Sequence, residues 1–238
     1  MNLAQNSGGY RYNSDTLALY DFIASELKPY ARGEILDVGC GCGILGLLLK
    51  RDFAGLNLNL LDISQESVKI SRHNLLQNGL TANVICADFR EFKSELKFDL
   101  IVSNPPFYND GVQKSKNENI ALSRYASSLS LREFARCANA NVASGGELYF
   151  CYEAISLSEL VLALNEFKFA PVCIKFLHSK EDKSAKLVFV KAKKSFRGKC
   201  KILPPLIMHK NGVFSSEAER IFERAATRSY DWSERCGA

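Results

Sequence analysis

The sequence predicts a doubly wound α/β fold with a reversed last strand, and three observations carry that prediction. Short apolar runs alternate with segments of helical periodicity through the first two thirds of the chain. Those runs close on turn or acidic residues and lack a polar face, as strands covered on both sides do. Two late apolar runs, FAPVCIKFLH and AKLVFVKA, are joined only by polar residues and read as an antiparallel hairpin on the sheet edge.

The elements follow in order. A helical lead-in over about residues 1–33 precedes a first strand, EILDVG (34–39), and a helix at ILGLLLKRD. The second strand, LNLNLLDI (56–63), leads to a helix over SQESVKISRHNLLQNG, with Ser64 as its capped start and Asn78-Gly79 as its stop. ANVICAD (82–88) and FDLIVSN (98–104) read as the third and fourth strands, LSLREFARCANANVAS as a helix, and GELYFCY (146–152) as the fifth strand. One domain over residues 1–238 is expected, ending in a basic extension from about residue 191.

Composition narrows the function classes. With 47% hydrophobic and 24% charged residues, the 238-residue chain can bury a large core. It shows neither a charged amino terminus followed by an apolar run nor an apolar stretch of bilayer length, so neither secretion nor membrane insertion is expected. The eight cysteines are scattered without CxxC spacing, which fits free thiols in a reducing cytoplasm. His73, His178 and His209 lie far apart, and no metal site is expected. No obligate protein partner is evident. The net charge of +5 comes entirely from the tail, where Lys191–Lys201 holds six cations in eleven residues. Lys193, Lys194, Arg197 and Lys199 are therefore candidates for neutralising phosphates, and a solvated strand end is the alternative.

In doubly wound folds, ligands bind beyond the carboxyl ends of the strands. The first strand ends in Asp37-Val38-Gly39-Cys40-Gly41-Cys42-Gly43, a loop whose glycines permit a tight turn and close approach to a ligand. Such a loop also serves nicotinamide cofactors, but GxGxG behind an acid favours S-adenosylmethionine. Asp62 and its neighbour Ile63 end the second strand, where an acid can accept from ribose hydroxyls or cap the next helix. Asp88 and Phe89 end the third, offering an acceptor and a ring where an adenine would lie. The sharpest feature closes the fourth strand: Asn104-Pro105-Pro106-Phe107-Tyr108. Two prolines fix the backbone and remove donors, leaving carbonyls beside the Asn104 amide and an aromatic face next to them. That combination suits a planar amino group with two hydrogens.

Asn104-Pro105-Pro106-Phe107 behind a GxGxG loop resembles the N-P-P-[YF] motif of amino-directed methyltransferases. GGYRYNSDTLAL, VSNPPFYNDG, Ser123-Arg124-Tyr125 and ILPPLIMHKNGVFSSEAERIFE extend the likeness, over about residues 8–225, to the bacterial family that methylates adenine 37 of a valine tRNA. The resemblance implies a seven-stranded Rossmann-like class I sheet and S-adenosylmethionine as donor. Asp37, Gly39, Gly41, Gly43, Asp62, Ile63, Asp88, Phe89 and Asn104 would meet that cofactor. It further implies tRNA as partner, Asn104 to Phe107 holding the target base, and Tyr108 and Arg124 on the substrate. Ser123 stands where the family has alanine. Methylation of another nucleic-acid base or of a protein glutamine amide uses the same quartet, but the glutamine enzymes carry a helical amino-terminal domain, whereas here the first strand begins at about residue 34.

Overall fold

The computed structural model describes residues 1–6, 12–105 and 129–233. In chain order the described elements are β1 (Asn2–Gln5), α1 (Ser14–Glu26), β2 (Gly33–Val38), α2 (Ile44–Asp52), β3 (Leu56–Asp62), α3 (Gln65–Gln77), β4 (Asn83–Cys86) and β5 (Phe98–Ser103). There follow α4 (Leu131–Asn141), β6 (Val142–Glu153), α5 (Leu157–Glu166), β7 (Phe169–Lys180), β8 (Ala185–Lys194), β9 (Lys201–Ile202), β10 (Leu206–Lys210), β11 (Val213–Phe214), α6 (Ser216–Ala225) and β12 (Arg228–Asp231).

The main sheet runs β4-β3-β2-β5-β6-β8-β7-β10-β11, with β9 also on β7. β2 to β6 are mutually parallel, and β8 runs antiparallel to both β6 and β7. The first seven strands of that order form the expected doubly wound sheet, with β8 reversed. Successive residues of each inner strand face opposite layers. Ile35, Leu100, Val102, Tyr149 and Cys151 pack on the α1, α2 and α6 side. Leu36, Val38, Ile101, Leu148 and Phe150 pack on the α4 and α5 side. That alternation, with both faces apolar, is what made these runs legible as parallel strands.

Local chemistry sets the helix ends. Ser64 caps α3 by accepting from Ser67 N at 3.3 Å. The other end closes with Gly79 at φ +63, Gly79 N donating to Leu76 O (3.1 Å) and Leu80 N to Leu75 O (3.0 Å). Those two bonds satisfy carbonyls that the ended helix would leave unpaired.

Two expectations are corrected. The late hairpin is not an edge: β8 lies between β6 and β7, and the outer side of β7 carries β9 and β10. The seven expected strands are all present, and among the described residues β9, β10 and β11 extend the sheet beyond β7. The fourth helix stops at Asn141 and β6 begins at once, Val142 being extended at φ −79 and ψ 144. A separate two-stranded sheet pairs β1 with β12 in parallel. No helix among the described residues is long and apolar enough to cross a membrane.

Candidate active site

The glycine loop, Asp62, Asp88 and Asn104 all sit at the carboxyl ends of parallel strands, and backbone bonds tie those ends together. Gly39 N and Cys40 N donate to Leu61 O at 2.8 and 3.1 Å, and Ala87 N donates to Asp62 O at 3.0 Å. Ser103 Oγ donates to Val38 O at 2.7 Å, joining the end of β5 to the end of β2 in the core.

The three glycines of the loop do different things. All have positive φ: 67° at Gly39, 56° at Gly41 and 84° at Gly43. Among the described residues, and leaving out its chain neighbours, a Cβ built on Gly39 or Gly41 would meet no atom within 4 Å, whereas one on Gly43 would lie 2.8 Å from Leu47 Cδ1 and 3.2 Å from Ser71 Cβ. Open volume thus lies in front of Gly39 and Gly41, and Gly43 is a packing residue. Asn74 supports the loop from behind. Its Nδ2 donates to Cys42 O at 2.9 Å and to Ala4 O at 3.0 Å, and its Oδ1 accepts from Ala4 N at 2.8 Å.

Asp62 lies against that open volume. Oδ2 accepts from Gly41 N and Oδ1 from Ser64 N, each at 2.8 Å, so the acid both braces the loop and starts α3. Gly41 and Ser64 use two of the four lone-pair positions of the carboxylate and the Ser67 side chain also bonds to it, which leaves room for a ligand hydroxyl. Burial holds its carboxyl above the usual range, opposed by the backbone N–H groups of Ser64 and Gly41. The neighbouring Ile63 is 43% exposed and presents an apolar face.

Asp37, in contrast, is buried, and its Oδ2 accepts from Gly46 N at 2.9 Å, setting α2 against β2. Its carboxyl is pushed up to about 7, first by burial and then by the Asp62 charge. Asp88 is engaged by Arg90, whose Nε lies 3.0 and 2.9 Å from its two oxygens, and that side-chain bond lowers its pKa. A ligand at Asp88 therefore shares it with, or displaces, the guanidinium. Phe89 is only 4% exposed and packs between Phe92 and Phe134 at centroid distances of 6.5 and 6.1 Å. The expected open aromatic face at that place is corrected to a core ring.

Asn104 is held from two sides that its own neighbourhood in the sequence did not reveal. Nδ2 donates to Thr16 Oγ1 of α1 at 2.7 Å, and Oδ1 accepts from Cys151 Sγ of β6 at 2.7 Å. Pro105 follows directly and is half-buried. Pro106, Phe107, Tyr108 and Arg124 lie outside the described residues.

The basic cluster falls elsewhere. Lys193 pairs with Glu147, which pairs with Leu100, near the start of β5. Asn104 lies four residues further along, about 13 Å at the rise of a strand. Lys193 and Lys194 thus stand at the opposite rim of the sheet, and Arg197 and Lys199 follow them in the exposed turn beyond β8. Lys191 is there paired with Glu147 at 3.4 Å, and Lys194 Nζ donates to Asn139 O at 2.8 Å. The cations expected to neutralise phosphates thus lie at the rim of the sheet opposite Asn104, because β8 runs antiparallel to β6 and carries its tail there.

The residues present fit S-adenosylmethionine: open volume at Gly39 and Gly41, an acid with spare lone pairs at Asp62, and an apolar side chain at Ile63. Comparison with known proteins agrees. The ribosomal RNA small subunit methyltransferases C of Cronobacter sakazakii and Escherichia coli are 41% identical over 96 residues and 42% over 94, covering 40% and 39% of this chain. The chain spans only 27% and 26% of the length of those relatives. Among solved structures, a predicted O-methyltransferase of Agrobacterium tumefaciens superposes with a TM-score of 0.68 at 21% identity, covering 91% of this chain and 99% of that one. The T. thermophilus 16S rRNA guanine-N2 methyltransferase, solved with S-adenosylmethionine and guanosine, gives a TM-score of 0.57 at 24% identity over 79% of this chain and 44% of that one. These two show the shared fold. Residues 19–156, which contain the glycine loop, Asp62, Asp88 and Asn104, match the methyltransferase small domain, and the chain belongs to that family of S-adenosylmethionine-dependent enzymes.

Proposed function

We propose that this chain methylates the exocyclic amino group of a purine in RNA, with N6 of adenine 37 in a valine tRNA as the target. The observation that carries the reading is the Asn104 amide, fixed at the end of β5 beside the glycine loop with an acceptor oxygen available. S-adenosylmethionine, when bound, supplies a methyl group on a sulfonium. The protein's task is then to make a poor nucleophile competent. An aromatic amino group delocalises its lone pair into the ring, and two acceptors on its hydrogens favour a more pyramidal nitrogen. Asn104 Oδ1 and the Pro105 carbonyl are those acceptors, a preorganised pair. No general base is assigned, since the proton leaves once the amine has become cationic. Asp62 takes the cofactor ribose, Ile63 lies along the adenine, and Asp88 accepts from its amino group once Arg90 yields. Phe107, with Tyr108, stacks on the unstacked base, and Arg124 contacts the RNA.

The choice of adenine rests on the likeness of the Asn104–Tyr108 segment and its flanks to the tRNA enzymes. A second reading, N2 of a guanine in ribosomal RNA, is favoured by the 41–42% identical ribosomal RNA methyltransferases together with the guanine-N2 enzyme of T. thermophilus. Both targets are exocyclic amines and need the same two acceptors. Lys193, Lys194, Arg197 and Lys199, at the far rim, are left to contact RNA distant from the target base. One domain over residues 1–238, acting in the cytoplasm, completes the reading. Purified protein given labelled methyl donor with bulk tRNA, and separately with ribosomal RNA, from a strain lacking the gene should yield N6-methyladenosine in tRNA by mass spectrometry. N2-methylguanosine in ribosomal RNA would establish the second reading, and methylation of a ring nitrogen would overturn both.

A further inference from the structure

We propose that Thr16 and Cys151 are the positioning residues of Asn104, fixing which end of its amide faces the substrate. The inference rests on the reading that Asn104 accepts a substrate N–H. An asparagine amide has two ends of nearly equal size, one donating and one accepting. A half-turn about its last torsion would present hydrogens to an amino group that itself offers hydrogens, and the site would repel its target.

Here the two ends meet unlike partners from separate elements, 88 and 47 residues away in the chain. The Thr16 hydroxyl accepts from Nδ2 and the Cys151 thiol donates to Oδ1, each at 2.7 Å. Thr16 is 3% exposed and Cys151 4% exposed, so water does not compete for either contact. In the reversed orientation the NH2 group would face sulfur, a weak acceptor, and the hydroxyl would have to change role.

The choice of a thiol has its own logic. A carbonyl oxygen has two lone pairs, and a weak S–H donor occupies one without greatly reducing what the other offers. Burial pushes the Cys151 thiol up to about 12, so it stays protonated and remains a donor at neutral pH. Thr16 is itself held in place. Asn13 caps α1 by accepting from Asp15 N at 3.0 Å and Thr16 N at 3.4 Å, and Asp15 pairs with Lys186 of β8 at 2.7 Å. The first turn of α1 is thus capped by Asn13 and tied to the sheet through Asp15, next to the residue that holds the amide.

Thr16→Val keeps the shape and removes the hydroxyl, Thr16→Ser keeps the hydroxyl, and Cys151→Ala removes the thiol. With bulk tRNA and ribosomal RNA as substrates, Thr16→Val is expected to lower kcat at least 10-fold, with KM, cofactor affinity and melting temperature little changed. Thr16→Ser should restore most of the rate. Cys151→Ala should cost about 3- to 10-fold, since Thr16 still orients the amide. In the 15N-resolved NMR spectrum, the side-chain NH2 pair of Asn104, assigned by its loss in Asn104→Ala, should shift in Thr16→Val and return in Thr16→Ser. An unmoved pair, or equal losses of rate and melting temperature in Thr16→Val and Thr16→Ser, would overturn the inference. Asn104→Ala run alongside separates the two ideas. If it turns over normally, the reading of Asn104 itself fails; if it is impaired about 100-fold or more while Thr16→Val is not, only the positioning role fails.

Discussion

A glycine can be required by its backbone angle or by the space in front of it, and the loop after β2 holds both cases. Gly41→Ala forces a side chain into the left-handed region, about 1–2 kcal/mol, and projects its methyl into the open volume. Calorimetry should find S-adenosylmethionine binding largely lost while the fold survives. Gly43→Ala adds overlap with Leu47 and Ser71 to the same backbone cost, so its melting temperature should drop further than that of Gly41→Ala; equal drops would contradict the division of roles. The sequence pointed to these glycines, Asp62 and Asn104 because their chemistry is written in spacing over a few residues. It was silent on Thr16, Asn74 and Cys151, whose contacts span 88, 70 and 47 residues. Phe89 was misread for a related reason: whether a ring faces a cleft or a core is decided by α4, more than 40 residues later.

Helix α2 was legible to the residue, since ILGLLLKRD is apolar where it meets the sheet and basic in its last turn. Its closeness to the sheet was not. A Cβ on Gly46 would lie 2.7 Å from Leu60 Cδ2, 2.9 Å from Leu58 Cδ1 and 3.1 Å from Asp37 Oδ2. Alanine in a helix interior gains about 0.5–1 kcal/mol over glycine, but overpacking a filled core costs about 1–3 kcal/mol. Gly46→Ala should therefore be destabilised by about 1–2 kcal/mol in urea unfolding, and a stabilised variant would show that α2 can move off β3. The strands missed at sequence level take their places from pairing, β9 and β10 with β7 and β11 with β10, rather than from any pattern of their own. The reversed β8 was foreseen, but not its place between β6 and β7, because hairpin chemistry specifies a neighbour and says nothing of what lies beyond it.

Across the whole molecule, charge placement governs both pH response and RNA contact. Asp37 titrates at about 7 when folded against 3.8 as its ordinary value, so in the unfolded chain it loses its proton first. Its contribution to stability is full below about pH 3.8 and is lost as pH rises towards 7, on the order of 4 kcal/mol. Asp37→Asn, which still offers Gly46 an acceptor, should flatten the fall in unfolding free energy across that window; an unchanged slope would mean the group ionises freely. Neutralising Arg197 and Lys199 should leave turnover on a short stem-loop intact, because they lie at the far rim. On full-length RNA, the slope of log affinity against log salt should fall by about 1 for each lost phosphate contact, and no change would mark them as solvated. A last consequence follows from the β1–β12 pair. β12 holds β1, the Ala4 backbone of β1 holds both ends of the Asn74 amide, and Asn74 Nδ2 holds the Cys42 carbonyl inside the glycine loop. The far end of the chain is thus a guy-line to the cofactor loop, tensioned through a single buried amide. Ending the chain at Thr227 should weaken S-adenosylmethionine binding several-fold although none of the lost residues lies in that loop, and Asn74→Ala should reproduce the loss with β12 still in place.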